Sequence, residues 1–210
     1  MIGAHDRRAL REGRARLYVS SISQNSRRVR IAAREFGLPI AEEEVDLLAG
    51  DHRTPSYLAK NPDGRVPLLE WDGRRLSESR AILLVLASAA DAAWDPQILQ
   101  WLYWDAEHLS PALRSLQGLV LFSAAPDVDA MAATRTQLRP TLERLERALD
   151  DGSFEAARNA DGRPNLAELS IAASLTYAEP LQLDLGSAVR RWRTELEARS
   201  SFQQTRPSMR

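Results

Sequence analysis

The 210-residue sequence predicts a small α/β domain followed by an all-helical domain, and three observations carry that reading. The first half alternates between strand-like and helix-like periodicity in the order β-α-β-α-β-β-α. Asp72-Gly73, the commonest kind of two-residue hairpin turn, lies between two apolar runs of that half. Beyond a linker the apolar spacing is three and four throughout, which is the helical period. The implied boundaries are an N-terminal extension over 1–15, the α/β domain over 16–90, the linker over 91–95 and the helical domain over 96–210.

Each element has its own signal. Arg16 to Ser20 is a short apolar run that reads as a strand. Ser26 to Phe36 places Val29, Ala32, Ala33 and Phe36 on one helical face, and Gly37-Leu38-Pro39 stops it. Ile40 to Leu47 suggests a second strand, and a loop through Ala49 to Arg53 leads to a short helix near Pro55 to Lys60. Val66 to Trp71 and Arg74 to Leu76 flank the hairpin turn, and a strongly apolar helix runs from Glu78 to Ala90. One helical stretch is expected over Pro96 to Phe122 and another over Val128 to Leu149, with Leu138, Leu142, Leu145 and Leu149 in register. Asn165 and Glu168 form a capping box that opens a helix to Tyr177, and Gly186 to Arg199 closes the set.

Composition excludes several classes of function. Lys+Arg 28 against Asp+Glu 29 leaves a net charge of -1, so a general electrostatic grip on nucleic acid or anionic lipid is not expected. The absence of cysteine excludes disulfides, thiolate-bound zinc, iron–sulfur clusters and a protein thiol nucleophile, and no metal site is expected. No apolar run approaches the ~18 residues of a membrane span. Met1 to Arg16 is arginine-rich without the apolar core of a signal peptide, and reads as a solvated extension on a cytoplasmic protein.

Three local features carry chemistry. Proline at the head of a buried strand, Val66-Pro67, cannot donate to a ladder. Either the bond is cis, with the Val66 backbone turned outward to pair with an extended peptide, or the proline simply marks an edge strand. Ser77-Glu78-Ser79 precedes the apolar helix. It is either an anion site, with Glu78 balancing an ammonium on the same ligand, or an ordinary N-cap. Ser23 to Arg28 lies between the first strand and first helix, a favoured ligand position, where hydroxyls and an amide suit an anion such as a thiolate; capping is the plain alternative. With His52 and Arg65, these pieces describe a ligand with a carboxylate and ammonium at one end, a peptide-like middle and a second carboxylate. Glutathione has that form.

The segments Asp46 to Pro55, Asn61-Pro62-Asp63-Gly64-Arg65-Val66-Pro67 and Glu78-Ser79-Arg80-Ala81-Ile82 together resemble the glutathione S-transferase superfamily, in particular its phi and theta classes and their bacterial relatives. The resemblance runs from about Arg16 to Pro207. It implies a thioredoxin-like N-terminal domain followed by an all-helical C-terminal domain, glutathione as co-substrate, and a homodimer. It further implies that Val66, before a cis Pro67, pairs with the cysteinyl backbone, that Glu78 and Ser79 hold the γ-glutamyl end, and that His52, Arg53 and Arg65 lie near the glycyl carboxylate. Ser23 matches the catalytic serine of these classes, while Tyr18 is assigned to packing. Asn25 stands where cysteine-type members carry a reactive thiol. A hydroxyl paired with asparagine occurs in Nu-class relatives that reduce disulfides with glutathione. The acceptor pocket is expected around Trp101, Tyr103, Trp104, Glu107 and His108, with at least one of Trp101 and Trp104, three apart on one face, belonging to the core, and with Asp105 or Glu107 near the γ-glutamyl ammonium. The function implied is a transferase acting on a small, hydrophobic electrophile. The alternatives are a glutathione-dependent disulfide reductase and a non-catalytic glutathione binder.

Overall fold

A computed structural model describes residues 2–92, 94–125, 127–154 and 162–207. The chain divides into two compact units. One comprises the chain up to Trp94 together with the stretch from Ser200 onward, and the other runs from Asp95 to Arg199.

The first unit is built on strands β1 (Ala15–Val19), β2 (Ala41–Glu44), β3 (Leu68–Trp71) and β4 (Arg74–Leu76), ordered β2-β1-β3-β4. β1 and β2 are parallel, whereas β1–β3 and β3–β4 are antiparallel. The parallel pair is joined through α2 (Gln24–Glu35). That helix ends as its sequence predicts: Gly37 has φ 62, its N–H donates to Arg34 and the Leu38 N–H to Ala33, the paired bonds of a Schellman motif. β2 is shorter than the expected Ile40–Leu47 strand and consists of Ala-Glu-Glu-Glu. Arginines from its neighbours sustain it. Arg16 meets Glu43, and Arg30 and Arg34 both meet Glu42. Burial pushes the Glu42 carboxyl up, but the two guanidinium partners together hold it below the usual range.

α2 packs on α4 (Ser79–Ala89) over one face of the sheet, and Leu17, Val29, Ala32, Leu69, Ile82, Leu83 and Leu86 are fully enclosed there. The other face carries a smaller cluster of Tyr18, Val45, Tyr57, Val66 and Leu68. Two features of this unit differ from the sequence expectation. The described part of the expected solvated extension, residues 2–15, is not solvated throughout: α1 (Ala4–Arg11) buries Ala9 and Leu10 against α4 and β3. Its Asp6 carboxylate accepts from Trp71 Nε1 at 2.9 Å and from Arg74 at 3.1 Å. The second difference is that the end of the chain does not stay with the helical domain. α10 (Ser200–Gln203) lies on α2, with Phe202 wholly buried, its carbonyl accepting from Arg27, and Ser201 bonded to Glu35.

The second unit contains α5 (Pro96–Trp104), α6 (Ser110–Leu121), α7 (Val128–Asp150), α8 (Leu166–Ser174) and α9 (Ser187–Glu197). The stretch expected as one helix over Pro96 to Phe122 is interrupted by a π-turn, Asp105–Leu109. The apolar spacing on either side continues well enough to hide the insertion. Asp105 is fully buried at this turn and accepts from the hydroxyls of Ser110, Ser170 and Ser174 at 2.5–3.0 Å. The capping box of α8 forms as expected: Glu168 N–H donates to Asn165 Oδ1 and Asn165 N–H to Glu168 Oε2, each at 2.9 Å. The remaining Glu168 oxygen accepts from Trp192 Nε1.

Candidate functional site

The chemistry-bearing residues of the first unit gather around two helix N-termini and the loop ahead of β3. Ser23 is the N-cap of α2, and its Oγ accepts the Ser26 N–H at 3.2 Å. Ser26 in turn accepts the Ser20 N–H through its own hydroxyl, which fixes the loop leaving β1. The cap bond uses the acceptor side of the Ser23 hydroxyl and leaves its proton to donate. Half-buried at the positive end of a three-turn helix, that O–H is placed to meet an anion.

Asn25, in the first turn of α2, is half-buried, and its Oδ1 accepts from Arg28 at 2.6 Å. Ser79 is the first residue of α4 and is 6% exposed, with Oγ accepting from the same Arg28 nitrogen at 2.7 Å. Asn25 and Ser79 are therefore brought together through one buried guanidinium. Glu78 caps α4 with φ 68 and ψ 106, a conformation that L-residues rarely adopt, and its side chain is exposed.

The Val66–Pro67 bond is cis. The β1–β3 register begins at Leu68, which leaves Val66 ahead of the ladder. The loop is tied down one residue earlier. The Arg65 carbonyl accepts from both the Tyr57 hydroxyl and Asn61 Nδ2, each at 2.7 Å. Burial pushes the Tyr57 hydroxyl up to about 12, so it stays protonated as a donor. Gly64 has φ 57, and a Cβ there would meet the His52 carbonyl at 3.0 Å and an Arg53 guanidinium nitrogen at 3.3 Å. His52, Arg53 and Arg65 thus share one corner, with Arg53 and Arg65 exposed and His52 half-buried.

In the second unit the expected acceptor residues divide between core and surface, with the His108 ring 6.4 Å from that of Trp104. Trp104 is 5% exposed and belongs to the core, packed edge-on against Trp101 with Arg144 over both rings. Trp101 also stacks edge-on with Phe154, which meets Trp192 in the same way. Tyr103, Glu107 and His108 are exposed. Asp105, considered for an ammonium ligand, faces inward onto three hydroxyls instead.

The sequence reading missed Arg28 and the Tyr57–Asn61 pair. Arg28 had a usable signal, since it stands three and four residues before Ile31 and Ala32 on the buried face of α2.

A βαβαββα unit with its polar side chains at the N-termini of two helices, followed by a separate helical unit, defines a thioredoxin-like domain joined to an all-α one. The family model described as Glutathione S-transferase, N-terminal domain matches residues 17–94. Maleylacetoacetate isomerase of Rhizobium meliloti is 34% identical over 177 residues, covering 79% of this chain and 82% of that protein. Glutathione S-transferase 3 of Zea mays is 31% identical over 212 residues, covering 90% and 92%. Among solved structures, poplar glutathione transferase F1 superposes with a TM-score of 0.79 at 25% identity, covering 91% of this chain and 95% of the other. The chain belongs to the glutathione S-transferase superfamily.

Proposed function

We propose that the chain is a glutathione transferase that binds the tripeptide on its first unit and presents the sulfur, ionised, to a small hydrophobic electrophile. The observation that carries this reading is the Ser23 hydroxyl, whose oxygen accepts the Ser26 N–H at the N-terminus of α2 and whose O–H is left to donate to an anion there. A free cysteinyl thiol has a pKa of about 8.5, and lowering it by about two units takes roughly 2.7 kcal/mol of preference for the anion. A charge-assisted hydrogen bond contributes about 1.5–3 kcal/mol, so Ser23 with the helix end suffices. Serine keeps its proton throughout; the thiolate is the nucleophile.

The other groups fix the ligand. Val66 pairs with the cysteinyl backbone beside Pro67, Ser79 and the first N–H groups of α4 take the γ-glutamyl carboxylate, and Glu78 faces its ammonium. His52, Arg53 and Arg65 take the glycyl carboxylate. The thiol titration of bound glutathione, followed by ultraviolet absorbance, tests the reading. Ser23→Ala raises the bound thiol's pKa toward its free value and lowers turnover with an aryl halide. An unchanged pKa and turnover would rule Ser23 out.

Asn25 beside Ser23 favours a second reading, glutathione-dependent disulfide reduction, in which the same thiolate attacks a disulfide sulfur. Turnover of a model disulfide that exceeds turnover of the aryl halide would select it.

A further inference from the structure

We propose that Arg28 is a positioning residue that sets the hydrogen-bond polarity of the site, making Asn25 a donor toward the sulfur and Ser79 a donor toward the γ-glutamyl carboxylate; this rests on the glutathione reading above. Arg28 is fully buried in α2, and one of its terminal nitrogens donates to Asn25 Oδ1 at 2.6 Å and to Ser79 Oγ at 2.7 Å. A guanidinium is a donor only, so every group bonded to it must offer an acceptor. A carboxamide held by its oxygen leaves the Nδ2 donors to face the ligand. A hydroxyl held by its oxygen leaves its O–H. Without that anchor the amide can turn over and the hydroxyl can rotate, and either then presents a lone pair to an anion.

Ser23 shows the same arrangement through a different donor, the Ser26 N–H. Three polar groups at two helix ends therefore each have their oxygen engaged by a donor from inside the protein. Those that face the sulfur, Ser23 and Asn25, favour thiolate over thiol. The one at α4, Ser79, favours carboxylate over any neutral substitute. The neighbouring Arg27 reaches Phe202 instead: its Nη2 donates to the Phe202 carbonyl and its guanidinium lies over the Phe202 ring.

The test uses the whole protein and three probes titrated by calorimetry: glutathione, S-methylglutathione, and glutathione with its γ-glutamyl α-carboxylate converted to the amide. In Arg28→Met the preference for carboxylate over amide falls about tenfold, and the bound thiol's pKa rises by about one unit. A residue that only fills space would weaken all three ligands by one factor and leave the pKa in place, and that result overturns the proposal. Should Arg28→Met fail to fold, Asn25→Asp keeps a partner for Arg28 but presents an acceptor to the sulfur. It raises the bound thiol's pKa by about one unit or more, and an unmoved pKa overturns the proposal. A wild-type protein that binds none of the three probes removes the glutathione reading itself. Tight wild-type binding with an unaltered Arg28→Met profile removes only the role of Arg28.

Discussion

The ammonium of Lys60 lies 4.2 Å from the centre of the Tyr18 ring and donates to the Tyr18 hydroxyl at 3.0 Å. Tyr18 is in β1, stacked edge-on against Tyr57, and 2% exposed. The strand tyrosine is thereby engaged in packing, which agrees with the proposal that Ser23, not Tyr18, activates the thiol. Tyr18→Phe is expected to lower stability by about 1 kcal/mol while leaving the bound thiol's pKa where it was. Chemical denaturation and thiol titration of the same variant check both halves. A raised thiol pKa would return Tyr18 to the site.

Asp6 is held below the usual carboxylate range, first by the Trp71 indole N–H, against the opposing effect of burial, and then by the Gly3 N–H and the nearby Arg74. A depressed folded-state pKa makes the contribution full above the unfolded value and lost as pH falls through the folded one. Asp6→Ala should therefore lower the urea midpoint at neutral pH. The gap between variant and wild type should close on acidification from about pH 5 downward. Midpoints measured across that range decide it, and a gap independent of pH would show that the carboxylate charge contributes nothing.

Glu78 combines an expected ligand role with positive φ. Relief of a strain of about 1–3 kcal/mol outweighs the added unfolded-state freedom of glycine, so Glu78→Gly should stabilise the protein by about 1 kcal/mol. The same substitution should weaken glutathione by about tenfold, through loss of a charge-assisted contact to the ammonium. Thermal denaturation and calorimetry should move in opposite directions.

Asn165→Ala removes the acceptor for the Glu168 N–H and should cost about 1–2 kcal/mol. Glu168→Ala should cost more, because the Asn165 N–H and the Trp192 indole both lose their acceptor. Neither lies in the unit proposed to bind glutathione, so the thiol titration should not shift.

The parts of the fold legible in the sequence are those in which neighbours along the chain supply the whole signal. Ser23 three residues before Ser26, Gly37 after Phe36, Asn165 before Glu168 and Asp72-Gly73 all act within a few positions. What stayed hidden depends on distant partners. Arg28 lies within the Ser23-to-Arg28 segment but has no role of its own there until Ser79, 51 residues away, is placed beside it. The arginine-rich start of the chain reads as solvated until Trp71 supplies a donor for Asp6 across 65 residues. Trp104 reads as a ligand wall because its burial is decided by Trp101 and Arg144 on a packed surface that periodicity does not describe.

The return of α10 to α2 has a consequence for synthesis. Phe202 and Ser201 cover part of the helix that Ser23 caps, yet the ribosome delivers them only after the entire second unit. A nascent chain halted at the linker would hold every proposed glutathione contact and still show an open apolar seam along α2. Completion of the first unit is thus deferred until translation of the 210 residues is almost over.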